Sequence, residues 1–260
     1  MTEPPHVLLT GASSGIGESL ARAWLASGAR VTLLARRTDL LEAIARTAPD
    51  RGQVITADLS AEFSPSALFN QAEAGLGPVD VLVNNAGVQI VEPAHEIEWE
   101  RGAQVLMVDL AAPLRLTQEA LRRMIPRGRG TIVDIASMAA LAPTPGMFFY
   151  NAAKGGLAGA SEGLRAEVAR HGVHVVTVYP GPVRSAMEAK AREAFEQSFA
   201  VRFTPTGDSD TLARLVLAAV EKKKARVIYP RTYVLGRWFP GTSRLLTDAL
   251  TPPLRRLLPK

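Results

Sequence analysis

Tyr150-Asn151-Ala152-Ala153-Lys154 sets a phenol and an ammonium four residues apart, a spacing that puts both on one face of a helix. A phenol with its ordinary pKa near 10 is a poor base at neutral pH. A fixed positive charge beside it favours the phenolate, as a second positive charge brought by a bound oxidised cofactor would, and the two should draw that pKa down towards a working range. Ser137, in Ile135-Ala136-Ser137, adds a hydroxyl that can hold a carbonyl or alcohol oxygen next to the phenol. The chemistry on offer is proton exchange with an organic oxygen. Tyr-x-x-x-Lys alone is common on exposed helix faces, so its weight comes from where it falls in the chain.

A second set of residues supplies the partner for such a proton. Thr10-Gly11-Ala12-Ser13-Ser14-Gly15-Ile16-Gly17 joins an apolar run to a helical pattern. Glycines let the backbone turn tightly and approach a ligand, and the helix start behind them presents N–H groups to a pyrophosphate. The next apolar run ends Leu34-Ala35-Arg36-Arg37. A carboxylate there would bind a free ribose hydroxyl, whereas guanidinium groups suit a 2′-phosphate, so the charge predicts NADP, with NADPH preferred over NADH. Gly11-Ala12-Ser13-Ser14-Gly15 also fits the G-x-S-x-G elbow of serine hydrolases. That reading needs a histidine partner, and of the later histidines, His95, His171 and His174, the last two flank a helix-to-strand turn.

Elements of alternating type must position these groups. Apolar runs at 7–10, 31–34, 54–56, 79–83, 131–135, 173–178 and 226–229 read as seven strands. Helical spacing over about 16–28, 40–45, 66–74, 98–124, 150–170 and 209–222 gives six helices. Continuous apolar strands predict burial on both faces, hence a Rossmann-like doubly wound parallel sheet in a three-layer αβα sandwich. Ser137 then follows the fifth strand, at the edge where such sheets bind ligands.

In that order and spacing, Thr10–Gly17, Asp58-Leu59, Asn84-Asn85-Ala86-Gly87, Ser137, Tyr150 with Lys154, and Pro180-Gly181 make the chain resemble the single-domain short-chain dehydrogenases/reductases, NADP-preferring branch, over about residues 6–229. The resemblance implies one dinucleotide-binding and catalytic domain over 1–229 and an oxidoreductase interconverting a ketone or aldehyde with an alcohol. It implies that Gly11, Ser14, Ile16 and Gly17 line the diphosphate and adenosine ribose, with Ser13 and Gly15 in the same loop, and Arg36 and Arg37 beside them. Asp58 and Leu59 would contact adenine, and Asn85, Ala86 and Gly87 would lie under the cofactor. Tyr150 would be the acid/base, Lys154 would bind the nicotinamide ribose, and Ser137 would place the substrate oxygen. Pro180, Gly181, Val183 and Ser185 would meet the nicotinamide. Asp109 stands where the family has a catalytic asparagine, and a charge there should alter the pH dependence of the proton relay. The alternative is a catalytically weak nucleotide-binding regulator.

The resemblance also places a substrate-covering segment at about 182–208, and Ser137, Met138, Met147 and Met187 are candidate contacts for a small hydrophobic carbonyl or alcohol. It implies a homodimer or homotetramer through the long helices before the fifth and sixth strands, where Ala152, Ala153, Ala158 and Ala160 permit close packing. Composition excludes a good deal. With no cysteine there is no disulfide or thiol nucleophile, and no metal site is expected. No apolar stretch nears the roughly 20 residues of a spanning helix, and no signal peptide is seen, so a cytoplasmic protein is expected. From Glu221 onward ten Lys or Arg face only Glu221 and Asp248, a net of +8, while the rest of the chain is −3. In the extension over 230–260, Tyr233, Trp238, Phe239 and Leu245 interleave with arginines. It is expected to pack on the domain, with weak peripheral membrane contact as a second role and no nucleic acid.

Overall fold

The computed structural model describes residues 3–195, 205–251 and 254. Seven parallel strands form one sheet in the order β3-β2-β1-β4-β5-β6-β7. They are β1 (His6–Thr10), β2 (Arg30–Ala35), β3 (Gly52–Thr56), β4 (Val81–Asn84), β5 (Gly130–Ile135), β6 (Val173–Pro180) and β7 (Arg226–Tyr229). The strands alternate with α1 (Gly15–Ala26), α2 (Thr38–Ala45), α3 (Pro65–Leu76), α4 (Trp99–Leu106), α5 (Ala112–Arg127) and α6 (Phe148–Val168). Beyond β6 come α7 (Ala186–Glu193), α8 (Ser209–Glu221), α9 (Val234–Trp238) and α10 (Pro240–Leu250).

Period-two alternation divides the core. Val7 and Leu9 of β1 join Leu20 and Trp24 of α1 and Val216 of α8 in one buried cluster. Leu8, between them in sequence, joins Phe69 of α3, Leu116 of α5 and Val168 at the end of α6 in the other. Each fully buried Leu or Phe contributes about 1.5–3 kcal/mol, so apolar residues on both strand faces demand helices on both sides, as the sequence suggests. Strand order reverses between β1 and β4, and at such a switch point the strand ends leave a crevice for ligands.

The stretch expected as one helix over 98–124 is α4 and α5 joined through Met107–Ala111, which winds as a π-helix. A second departure concerns the helix faces. Ala153 and Ala158 are buried in the chain's own core, so they are not available to another subunit. The exposed small residues of α6 are Ala152, Gly156, Gly159, Ala160, Gly163 and Ala166. Pro252 and Pro253 lie outside the described residues, as does the central part of the segment expected to cover the substrate.

Candidate active site

The C-terminal ends of β1, β4, β5 and β6 gather the candidates. Thr10, the last residue of β1, anchors the crevice. Its Oγ1 donates to the Val83 carbonyl at 3.2 Å and accepts the N–H groups of Asn85 and Ala86, each at 3.0 Å. Asn85 Nδ2 donates to the carbonyls of Thr10 (2.9 Å) and Gly11 (3.2 Å). These bonds press the end of β4 onto the glycine turn. A Cβ on Gly11, whose φ is +68°, would stand 2.7 Å from Ala86 Cα, and one on Gly17 would stand 2.1 Å from the Gly11 carbonyl oxygen. Both glycines are therefore required by the protein's own packing, before any ligand is considered. Thr10 itself was singled out only as part of the motif.

Gly15 faces a different neighbour. Its φ is +57°, and an added Cβ would lie 3.5 Å from Cβ of Ser185, which ties the turn to the loop after β6. Ser185 caps α7, its Oγ accepting the Glu188 N–H at 3.1 Å. Ser14 precedes α1 without capping it through its side chain, so the first-turn N–H groups remain directed out of the helix end, the arrangement a phosphate seeks. Arg37 reaches the same place, donating from Nη2 to Ser13 Oγ (2.9 Å) and Ser14 Oγ (2.8 Å). Arg36 stands 3.9 Å from Asp58, with both side chains largely exposed. Leu59, by contrast, is buried with Leu34 and Ile55, so Asp58 is the member of that pair at the surface. A dinucleotide phosphate fits this donor set. The elbow reading fails on topology: Ser13 Oγ meets Arg37, whereas His171 and His174 sit at the opposite, N-terminal end of β6. His95 pairs with Glu96 in an exposed turn.

The chemical groups lie one strand further along. Lys154, buried on the inner face of α6, donates to the Ile135 carbonyl at 3.0 Å and faces Asp109 Oδ2 at 3.2 Å. Its Nζ is 5.8 Å from the Tyr150 ring centroid. Ser137 follows β5, where its hydroxyl acts to lower the Tyr150 phenol's pKa and its Oγ accepts the Ala139 N–H at 3.1 Å. The loop between Ser137 and Tyr150 is clamped by Asn151, which donates from Nδ2 to the Thr144 carbonyl (2.8 Å) and accepts the Thr144 N–H (3.2 Å). Asn151 had no role assigned from sequence, though its place inside the Tyr–Lys motif was visible.

Electrostatics correct one expectation. The Tyr150 phenol in this protein is held above its ordinary value, not below it. Burial is the main cause and the Asp109 charge adds to it, while the Lys154 ammonium and the Ser137 hydroxyl pull the other way. Among the protein's own groups burial and Asp109 outweigh Lys154 and Ser137; the fall expected from sequence counts also the positive charge of a bound cofactor. For Lys154 burial pulls the pKa down, and the charges of Asp109 and Tyr150 outweigh it.

Among the substrate candidates, Met138 is buried in a cluster with Ala136, Ala158 and Tyr179. Met147 Sδ accepts from Gln89 Nε2 at 3.4 Å, and Met187 is exposed on α7. Beyond Pro180, Gly181 lies under the Tyr233 ring, which a Cβ would meet at 2.8 Å. Val183 is buried and bridges to Gly207. The C-terminal extension returns to this edge: Leu254 bridges Phe195, and its methyl groups would stand 2.9 Å from a Cβ on Gly146. Among the described residues no cluster of three His, Asp or Glu could hold a metal, and no helix is long and apolar enough to cross a membrane.

A family model described as short chain dehydrogenase matches residues 5–196. Nodulation protein G of Rhizobium sp. (strain N33) is 36% identical over 234 residues, covering 88% of this chain and 94% of that protein. A short-chain dehydrogenase from Sphingobium yanoikuyae, solved with NADPH, superposes with a TM-score of 0.79 at 26% identity over 98% of both chains. The 3-ketoacyl-(acyl-carrier-protein) reductase of Brucella melitensis, solved with NADH, gives 0.78 at 25% identity over 87% of this chain and 97% of that one.

Proposed function

The chain belongs to the short-chain dehydrogenase family and is an oxidoreductase of alcohol and carbonyl groups; on that premise we propose that it interconverts a hydrophobic ketone or aldehyde and its alcohol with NADP(H), Tyr150 exchanging the proton. The observation that carries this reading is the convergence of Ser137, Tyr150 and Lys154 at one sheet edge with the glycine turn. The Brucella neighbour, a 3-ketoacyl-(acyl-carrier-protein) reductase by name, supports an apolar ketone, as does Leu254, which bridges Phe195 and lies against Gly146 of the Ser137–Tyr150 loop.

When bound, the reduced dinucleotide supplies the hydride that a carbonyl carbon accepts. Gly15, the α1 N-terminus, Ser13, Ser14 and Arg37 would hold its phosphates. Ser137 would donate a hydrogen bond to the substrate oxygen and fix it beside the phenol. Tyr150 gives its proton to that oxygen as charge develops there, and takes one back in the reverse direction. Lys154 keeps a positive charge near the phenol throughout, tied to β5 by the Ile135 carbonyl.

Structural neighbours carry both NADH and NADPH, so the preference for NADPH rests on Arg36 and Arg37. A guanidinium against a 2′-phosphate is worth about 1.4 kcal/mol or more, a tenfold preference. Steady-state comparison of the two cofactors should show it, and Arg37→Ala should erase most of it. A wild type that favours NADH overturns the assignment.

Two further surfaces belong to this reading. Ala152, Gly156, Gly159, Ala160 and Gly163 on α6, with Leu114 of α5 exposed beside them, suit a homodimer or homotetramer, checked by light scattering after gel filtration. Trp238, Phe239 and Leu245 are exposed at the junction and outer face of α9 and α10, where 231–260 carries six basic residues against Asp248. Weak contact with an anionic membrane is the proposal, and equal sedimentation with anionic and neutral vesicles contradicts it.

A further inference from the structure

Asp109 sits where the helix before β5 departs from α geometry, in the π-wound turn Met107–Ala111. Such widened turns occur mostly where a side chain must be re-aimed, and often at functional sites. Here the re-aimed group is a carboxylate with no exposed surface. Its Oδ1 accepts the Val88 N–H at 2.7 Å. Its Oδ2 lies 3.2 Å from Lys154 Nζ and makes no well-directed hydrogen bond. The floor is cut to admit it: a Cβ on Gly87 would stand 2.9 Å from Oδ2 and 3.6 Å from Lys154 Nζ. Three separate features of the chain therefore serve one carboxylate. A buried charge is costly unless paired, and the pairing consumes the charge that the Tyr–Lys motif directs at the phenol.

We propose that Asp109 is a positioning residue that counterbalances Lys154, so that Tyr150 stays a phenol, and serves as an acid, to higher pH than Lys154 alone would allow. The proposal rests on the reading above that Tyr150 exchanges the proton. The groups that bear on Tyr150 from the packed elements are Lys154 on its own helix, Asp109 on the π turn and Ser137 after β5. Asp134 of β5 acts on Lys154 from below. Burial pushes the carboxyls of Asp109 and Asp134 up, and the Lys154 ammonium acts against that shift in both. The asparagine that the family carries at this position would keep the size of the side chain and remove the charge.

The test is spectrophotometric titration of tyrosinate in the protein without cofactor, with the Tyr150 contribution isolated by subtracting the curve of Tyr150→Phe. Wild-type Tyr150 should titrate at higher pH than Tyr150 in a variant that keeps Lys154 and lacks the Asp109 charge. In Asp109→Asn the Tyr150 step should move to lower pH by about one unit or more, and Asp109→Ser should do the same. The high-pH limb of kcat/KM for ketone reduction should move in step. An unshifted Tyr150 in either variant, folded by circular dichroism, overturns the proposal. Failure of the wild type to reduce any ketone would instead sink the functional reading, and the titration would still decide the role of Asp109.

Discussion

Helix α6 carries two ionic groups eight residues apart, Lys154 and Glu162, and they are satisfied in opposite ways. Lys154 is buried against one carboxylate, that of Asp109, and one carbonyl, that of Ile135. Glu162 accepts from Arg165 of its own helix, from Arg226 of β7 and from the Tyr179 hydroxyl of β6, with Arg237 of α9 at 3.5 Å. Burial pushes the Glu162 carboxyl up, but these donors outweigh it and hold it at about 2. Such a group stays ionised at any working pH and cannot carry proton traffic; what it does is tie α6 to β6, β7 and the C-terminal extension. The Tyr179 phenol, buried and bonded to that carboxylate, is pushed up to about 12, although Arg226 and Arg237 pull it down. Tyr150 keeps part of its surface exposed, and the Lys154 ammonium and Ser137 act against the upward push of burial and of Asp109. An excess of partners therefore makes a strut, and a bare match of partners makes a site whose protons can move.

If that contrast is right, Lys154→Met should remove activity with the largest effect, a loss of about 10²–10⁴ in kcat, measured by NADPH consumption. Glu162→Ala should do the reverse. It should leave kcat and KM within about twofold while lowering unfolding stability by about 2 kcal/mol, read from urea denaturation. A kcat collapse in Glu162→Ala would erase the distinction. The pH dependence sharpens it further. The folded-state pKa of Glu162 lies below its ordinary 4.5, so its stabilisation is fully present above about 4.5 and is lost as pH falls towards about 2. The stability gap between wild type and Glu162→Gln should therefore close on the acid side of pH 4.5. The smallest effect belongs to Arg237→Ala, whose long contact with Glu162 is worth under about 1 kcal/mol.

How much of this was legible in the chain follows from range. Apolar runs such as Val31–Leu34 and the spacing of Tyr150 and Lys154 are local, so strands, helices and the chemical motif could be read from periodicity. The π turn at Met107–Ala111 could not, because one widened turn hardly disturbs an apolar pattern across a long helix. Asp109 was visible as an unusual residue, but its pairing depends on Gly87 and Val88, brought beside it only by the strand order. Ala158 looks like an interface residue until the cluster it forms with Ala136, Met138 and the β6 side chain Tyr179 buries it. The Glu162 hub is absent from the sequence reading because Arg226 lies 64 residues away. The return of Leu254 to Gly146 is hidden for the same reason.

The most direct test is NADPH consumption on a graded series of straight-chain ketones by wild type and Tyr150→Phe, with NADPH binding followed in parallel by fluorescence. Removing the hydroxyl should lower turnover by about 10²–10⁴ and leave NADPH bound. Tyr150→Phe reducing the same ketones at nearly the wild-type rate would contradict the assignment of the proton to that phenol.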